Sequence, residues 1–216
     1  KAPTQRSAIL SRIARKGRGW AFTPHDFADL GDPRSVGMAL TRLVRDGRIR
    51  RVSRGIYDVP RSHPVLGKAG AGTDSIVSAV ARHRNLRVLP SPALAANQLG
   101  LDTQVPAKLV YLTDGTPTSL RLGKLEIVFR RNSGRYLGLA GRASGVVMQA
   151  LRDIGQGRVT SAHLQRIRDR LDDDARLQLR DDITRVPAWM RPHFEAICKD
   201  DAPDLLSRPS DRLRQT

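Results

Sequence analysis

The side chains best equipped for chemistry are few and scattered. Histidines stand at His25, His63, His83, His163 and His193, the single cysteine is Cys198, and Ser144 lies in a Gly-rich, basic stretch, Gly138 to Gly145, that also involves Arg135 and Arg142. A zinc centre needs several nitrogen or sulfur ligands converging from short, regular spacings. No histidine here has a second His or Cys at such a spacing. His193 and Glu195 are two apart, so on a helix they do not share a face. Ser144 has no evident base, and neither a G-x-S-x-G elbow nor a Walker A loop occurs. The Gly138–Gly145 stretch precedes a helix rather than following a clear strand. It therefore reads as a helix entry packed through small residues, with phosphate binding as the alternative. Asp172, Asp173 and Asp174 sit where a helix N-terminus favours negative charge, a metal-binding carboxylate cluster being the alternative. No catalytic residue, metal ligand or cofactor is assigned, and the chain reads as a non-enzyme.

Arginine is what the sequence has in excess. In 216 residues there are 32 Arg and 6 Lys against 19 Asp and 2 Glu, a net charge of +17. Such a skew points to a polyanionic partner, although GC-rich coding also produces it. Its distribution is more telling. Residues 1–68 hold 15 basic and 5 acidic residues, residues 69–135 hold 9 and 4, and residues 136–216 hold 14 and 12. The excess lies at the front, while the last third carries interleaved charges of both signs, as solvated helix faces do. Aromatics at 4% argue against a base-stacking binder of single strands. One cysteine excludes an intramolecular disulfide framework and a Cys-rich zinc site. No apolar run approaches a membrane span, and the N-terminus has no signal-peptide core, so the expectation is a cytoplasmic protein with no membrane partner.

Three helices are predicted in the front segment. The first runs from about Thr4 to Lys16 on Ile9, Leu10 and Ile13. The second is brief, opened by Thr23-Pro24 and buried through Phe27 and Leu30. The third is opened by Asp32-Pro33 and closed near Asp46-Gly47. On the third, Val36, Leu40 and Leu43 share a narrow arc flanked by Ala39 and Val44, the core side. Arg34, Met38, Thr41, Arg42 and Arg45 fall opposite, with Ser35 at the edge, and no acid interrupts them before Asp46. An arginine fork can bond guanine O6 and N7 in a major groove or grip a phosphate; an ordinary exposed face is the alternative. Ile49, Val52, Ile56 and Val59 then mark a hairpin turning at Ser53-Arg54-Gly55. It would lay Arg50, Arg51 and Arg54 along a phosphate backbone or dip them into the minor groove, a structural hairpin with incidental arginines being the alternative. Three helices followed by a basic hairpin read as a winged helix-turn-helix, a fold that also serves protein contacts.

Downstream, Arg61 to Gly72 reads as a linker. Thr73 to Arg82 is a helix, 87–89 a short strand, and Ser91-Pro92 starts another helix. Lys108 to Leu112 is a strand, and 119–122 with 125–130 form a hairpin. Helices follow at about 141–154, 161–171, 173–185 and 188–199. The fold class is α+β, an N-terminal winged helix-turn-helix followed by a mixed α/β domain ending in a helical bundle. The expected divisions are 1–62, 63–199 and a flexible tail, 200–216.

Gly19-Trp20-Ala21-Phe22-Thr23-Pro24, Ala39-Leu40-Thr41-Arg42-Leu43-Val44-Arg45-Asp46-Gly47 and Ser53-Arg54-Gly55-Ile56-Tyr57 resemble the winged-helix start of AbiEi-type antitoxins of type IV, abortive-infection toxin–antitoxin operons. Gln104-Val105-Pro106-Ala107, Val110-Tyr111-Leu112-Thr113-Asp114-Gly115 and Pro187-Ala188-Trp189-Met190 are similar to that group's second domain, and the resemblance spans roughly residues 5–195. It implies an autorepressor that binds inverted repeats in operator double-stranded DNA. It also implies a second domain that opposes a nucleotidyltransferase-like toxin without a stable complex. The family's DNA-contacting positions carry over onto Arg34, Ser35, Thr41, Arg42, Arg45, Arg50, Arg51 and Arg54; the face reading adds Met38. The competing expectation is a winged-helix adaptor for protein partners, or another transcriptional regulator without an antitoxin role.

Overall fold

A computed structural model describes residues 4–59, 61–63, 67–69, 71–104, 106–132 and 134–199; the expected tail, 200–216, lies outside the described residues. The chain is α+β. It opens with α1 (Gln5–Lys16), β1 (Ala21–Phe22), a 3-10 segment (Pro24–Leu30), α2 (Pro33–Arg45), β2 (Arg50–Ser53) and β3 (Ile56–Asp58). Two features depart from expectation. The second helix is 3-10, broken at Phe27 (φ −126°, ψ 18°), which turns that ring fully inward. Ala21–Phe22 is a strand, pairing antiparallel with β3 to make the sheet β1-β3-β2.

The first core gathers Ile9, Ile13, Phe22, Phe27, Val36, Leu40, Leu43 and Ile49 between α1, α2 and this sheet. Few as the aromatics are, four of them meet here. Phe22 lies against Trp20, Phe27 and Tyr57 with centroids 4.9, 5.4 and 6.1 Å apart. Each such pair contributes about 0.5–1.5 kcal/mol beyond burial. The module rests on this knot, and Phe22→Ala would cost about 3–5 kcal/mol.

The segment expected to be a linker contains two short antiparallel strands, β4 (Arg61–His63) and β5 (Gly67–Ala69). Then follow α3 (Thr73–Arg84), β6 (Val88–Pro90), α4 (Pro92–Gln98), β7 (Lys108–Thr113), β8 (Thr118–Leu122) and β9 (Leu125–Arg131). The sheet order is β6-β7-β9-β8, with β7 and β9 parallel and the other pairs antiparallel. The alternation along β7 and β9 puts Tyr111, Ile127 and Phe129 on the inner face. There they meet Ile76, Val77 and Val80 of α3, and also Ala21 and Ile56 from the front sheet. A single core thus draws on both sides of residue 62.

Polar links reinforce that junction. Ala21 N–H donates to Ser75 Oγ (2.8 Å). Arg82 donates to the Ala21 carbonyl (2.9 Å) and to Asp26 (2.9 Å). Ala71 N–H donates to Asp58 (2.7 Å). The front module is therefore anchored to α3 by bonds that an isolated domain would have to replace with water.

The remainder is helical: α5 (Ala143–Ile154), α6 (Ser161–Asp169), α7 (Asp173–Asp181) and α8 (Arg191–Cys198), with 3-10 turns at Arg135–Leu139, Ile183–Arg185 and Ala188–Met190. The expected helix at 173–185 ends at Asp181, where Asp182 collects side-chain donors, and the one at 188–199 starts at Arg191, after the 3-10 turn Ala188–Met190. Asp172 caps α7 through Ala175 N–H (2.8 Å), the capping role expected of that acidic run. Leu89, Leu139, Met148, Leu151, Ile167, Leu179, Phe194 and Ile197 form this third core. Among the described residues, no helix is long and apolar enough to cross a membrane.

Candidate nucleic-acid interface

Helix α2 owes its position to both ends. The Asp32 carboxylate accepts from Arg34 N–H and Ser35 N–H, 3.0 Å each, satisfying two of the orphan donors of the first turn. Hydrogen bonding from Ser35 holds that carboxylate below the usual range. At the other end Gly47 takes φ +66°, a left-handed conformation open to glycine, and the chain turns directly into β2. Val36, Ala39, Leu40 and Leu43 are buried, as the face reading expected.

The opposite face is solvent-exposed at Arg34, Met38, Thr41, Arg42 and Arg45. Met38 is 49% exposed, unusual for a large apolar side chain. The Arg45 side chain is 81% exposed, and its nearest carboxylate, Asp46, is 3.9 Å away and already bonded to Arg6 at 2.7 Å. Among the described residues, no ion pair holds Arg34, Arg42, Arg51 or Arg54. Thr41 donates its hydroxyl to the Gly37 carbonyl (2.9 Å), which leaves the oxygen able to accept. The hairpin bearing Arg51 and Arg54 is pinned by a register shift between Arg51 and Ser53, and Gly55 turns at φ +75°.

Two of the expected contact residues are committed elsewhere. Arg50 stands directly across from Asp58 and donates to it twice, through Nε (3.1 Å) and a terminal nitrogen (2.7 Å). Asp58 is fully buried, so this cation balances an interior charge. The hairpin register carried that signal, since opposite charges directly across a ladder pair. Ser35 is engaged as well: its hydroxyl donates to the Asp32 carbonyl (3.0 Å) and accepts from Gln5 (2.8 Å), tying α2 to α1.

The other chemistry-bearing residues among those described make structural contacts. His163 closes a capping box on α6 with Thr160, His193 lies edge-on to Trp189, and His25 lies edge-on to His83. Gly145 packs so closely on the Leu139 carbonyl and Leu89 that no larger residue fits, the small-residue packing expected of that stretch. The Ser144 hydroxyl donates to Asp182, which also accepts from Arg142 (2.5 Å) and Arg185 (2.8 Å). Burial pushes the Asp182 carboxyl up, but those donors outweigh it and hold the group below the usual carboxylate range. Among the described residues, no group of three or more His, Cys, Asp or Glu is placed to hold a metal ion.

An α+β chain with a cationic, acid-free helix face beside a basic hairpin is the class that these observations define. Residues 8–179 match the model of a family described as "Family of unknown function (DUF6088)", and the chain belongs to that family. No curated protein matches it. Among solved structures it is similar to the RV2827C protein from Mycobacterium tuberculosis, at 18% identity over 92% of this chain and 77% of that one, with a TM-score of 0.38.

Proposed function

We propose that this protein is a sequence-specific binder of double-stranded DNA that represses its own operon, with α2 in the major groove and the β2–β3 hairpin against the backbone as its wing. The observation that carries this reading is the α2 face. It holds Arg34, Met38, Thr41, Arg42 and Arg45 exposed together, with no carboxylate among them, in a chain that pairs many other arginines with acids. Arg42 and Arg45 are suited to guanine edges, and Met38 to a thymine methyl. Arg51 and Arg54 reach phosphates, which position the protein without reading sequence. One such helix reads a short half-site, so two copies on an inverted repeat are the geometric expectation. In this reading the work is binding rather than catalysis, and a repressor bound to its operator acts in the bacterial cytoplasm.

The test is a band-shift and fluorescence-anisotropy series on the upstream duplex across salt concentrations. Arg42→Ala and Arg45→Ala should each cost about 1–3 kcal/mol on the operator and far less on scrambled DNA. Equal affinity for both duplexes, unchanged in both variants, would sink the reading. The resemblance to AbiEi-type antitoxins extends the proposal to the second module: it opposes a nucleotidyltransferase-like toxin encoded alongside. Co-expression with that neighbour should restore growth, while a pull-down should retain no stable complex.

A further inference from the structure

Behind the hairpin turn lies a crevice of about 260 Å³. One wall is Ser53 and Arg54 of the turn, another is His83 and Arg84 at the end of α3, and the third is Thr118 and Ser119 of β8. The walls are brought together by packing. Val52 lies against the same core as Leu120 and Leu122, so β2, an edge strand of the front sheet, lies beside β8, an edge strand of the second. No carboxylate lines the crevice. Among the described residues no ion pair holds Arg54 or Arg84.

Basic residues in the last turn of a helix complement its dipole, and that alone accounts for cations at the end of α3. It does not account for a second element bringing another arginine to the same opening, nor for Ser53 and Thr118 beside it with no acid in the lining. Arginine forks with hydroxyl donors are the chemistry that recognises phosphate oxygens. We propose that this crevice binds a phosphoryl group, held by Arg54 and Arg84 with the hydroxyls of Ser53 and Thr118. Its source is a backbone phosphate of the duplex next to the segment under α2, which extends the DNA footprint from the front module onto the second. That assignment of the source rests on the DNA reading above; the phosphoryl site itself does not.

The experiment uses the full chain in two arms. In the first, wild type and Arg84→Gln are titrated with the operator and with scrambled duplex over a salt series. Arg84→Gln should weaken both about tenfold and lower the salt slope by about one, since a phosphate contact is lost whatever the sequence. In the second, inorganic pyrophosphate is added while the His83 ring signals are followed by NMR; they should move in wild type and stay still in Arg84→Gln. A changed duplex slope supports the DNA source even if pyrophosphate is silent. Pyrophosphate shifts without any duplex effect support a site for small phosphates and reject the DNA source. If wild type binds no duplex yet pyrophosphate moves His83, the DNA reading fails and the phosphoryl site stands. An unaltered duplex titration together with unmoved His83 signals overturns the proposal.

Discussion

The outer face of α2 and the helical module of α5, α7 and α8 use the same residue in opposite ways. In the helical module, Arg142 and Arg185 converge on one buried carboxylate, Asp182, which also accepts from Ser144. On α2, Arg34, Arg42 and Arg45 stand together, and the one acid near them, Asp46, is 3.9 Å from Arg45 and already bonded to Arg6. The front module makes the contrast internally too. Its rear side pairs Arg6 with Asp46, Arg12 with Asp29 and Arg50 with Asp58. An arginine given a carboxylate builds the fold; one denied a partner remains a full positive charge, and adjacent like charges cost stability unless an external anion meets them. Net charge alone cannot separate the two uses.

The largest effect is expected at Asp182, whose side chain is 2% exposed. Asp182→Ala removes the common acceptor of two arginines and a serine and should lower unfolding free energy by about 2–4 kcal/mol. Both arginines are partly exposed and can rehydrate, which keeps the loss toward the lower end. Thermal unfolding measures it, and DNA affinity of the folded fraction should be unchanged. A specific loss of binding would mean that the two regions are not separate in purpose.

A smaller effect should appear with pH. The folded-state value of Asp182 is depressed, so its contribution is present above the ordinary carboxylate value near 4 and is lost as pH falls through the folded value. Asp29, drawn down to about 2 mainly by its bonds from Arg12, titrates in the same direction. The melting temperature should therefore fall on acidification below about pH 4, less steeply in Asp182→Asn than in wild type. Parallel slopes in the two proteins would show that Asp182 is not the group responsible. The smallest effect belongs to Arg176→Gln, which removes a 3.7 Å pair with an almost fully exposed Asp173 and two bonds to the Leu171 carbonyl (3.1 and 3.4 Å). It should lower stability by about 1 kcal/mol and leave duplex binding untouched. A measurable loss of binding would extend the proposed DNA-contacting surface to α7.

Much of α2 was legible beforehand because its determinants are local. The Asp32-Pro33 start, the Asp46-Gly47 stop and the period of Val36, Leu40 and Leu43 lie within one element, and the burial pattern follows them. Thr23-Pro24 signals a helical start of either kind, and the non-helical backbone at Phe27 makes the segment 3-10. The paired strands in 61–69 leave no sequence signal, because short runs among Pro and Gly carry no period. Charge alone groups Arg50 with Arg51 and Arg54; cross-strand register commits it to Asp58. His83, Arg84 and Thr118 carry no shared signal in one dimension, since Thr118 lies 35 positions after His83.

By itself the sequence determined the α+β class, the placement of the charge excess in the first third and the split of α2 into an apolar and a cationic face. Composition and short-range periodicity act within a turn or two of chain and survive whatever the rest of the molecule does. Only the tertiary structure decided which arginines are spent on carboxylates and which are left to solvent. The same is true of the core shared across residue 62 and of the crevice joining the hairpin to α3 and β8. Pairing a charge requires another group within about 4 Å, and what lies that close is set by long-range packing.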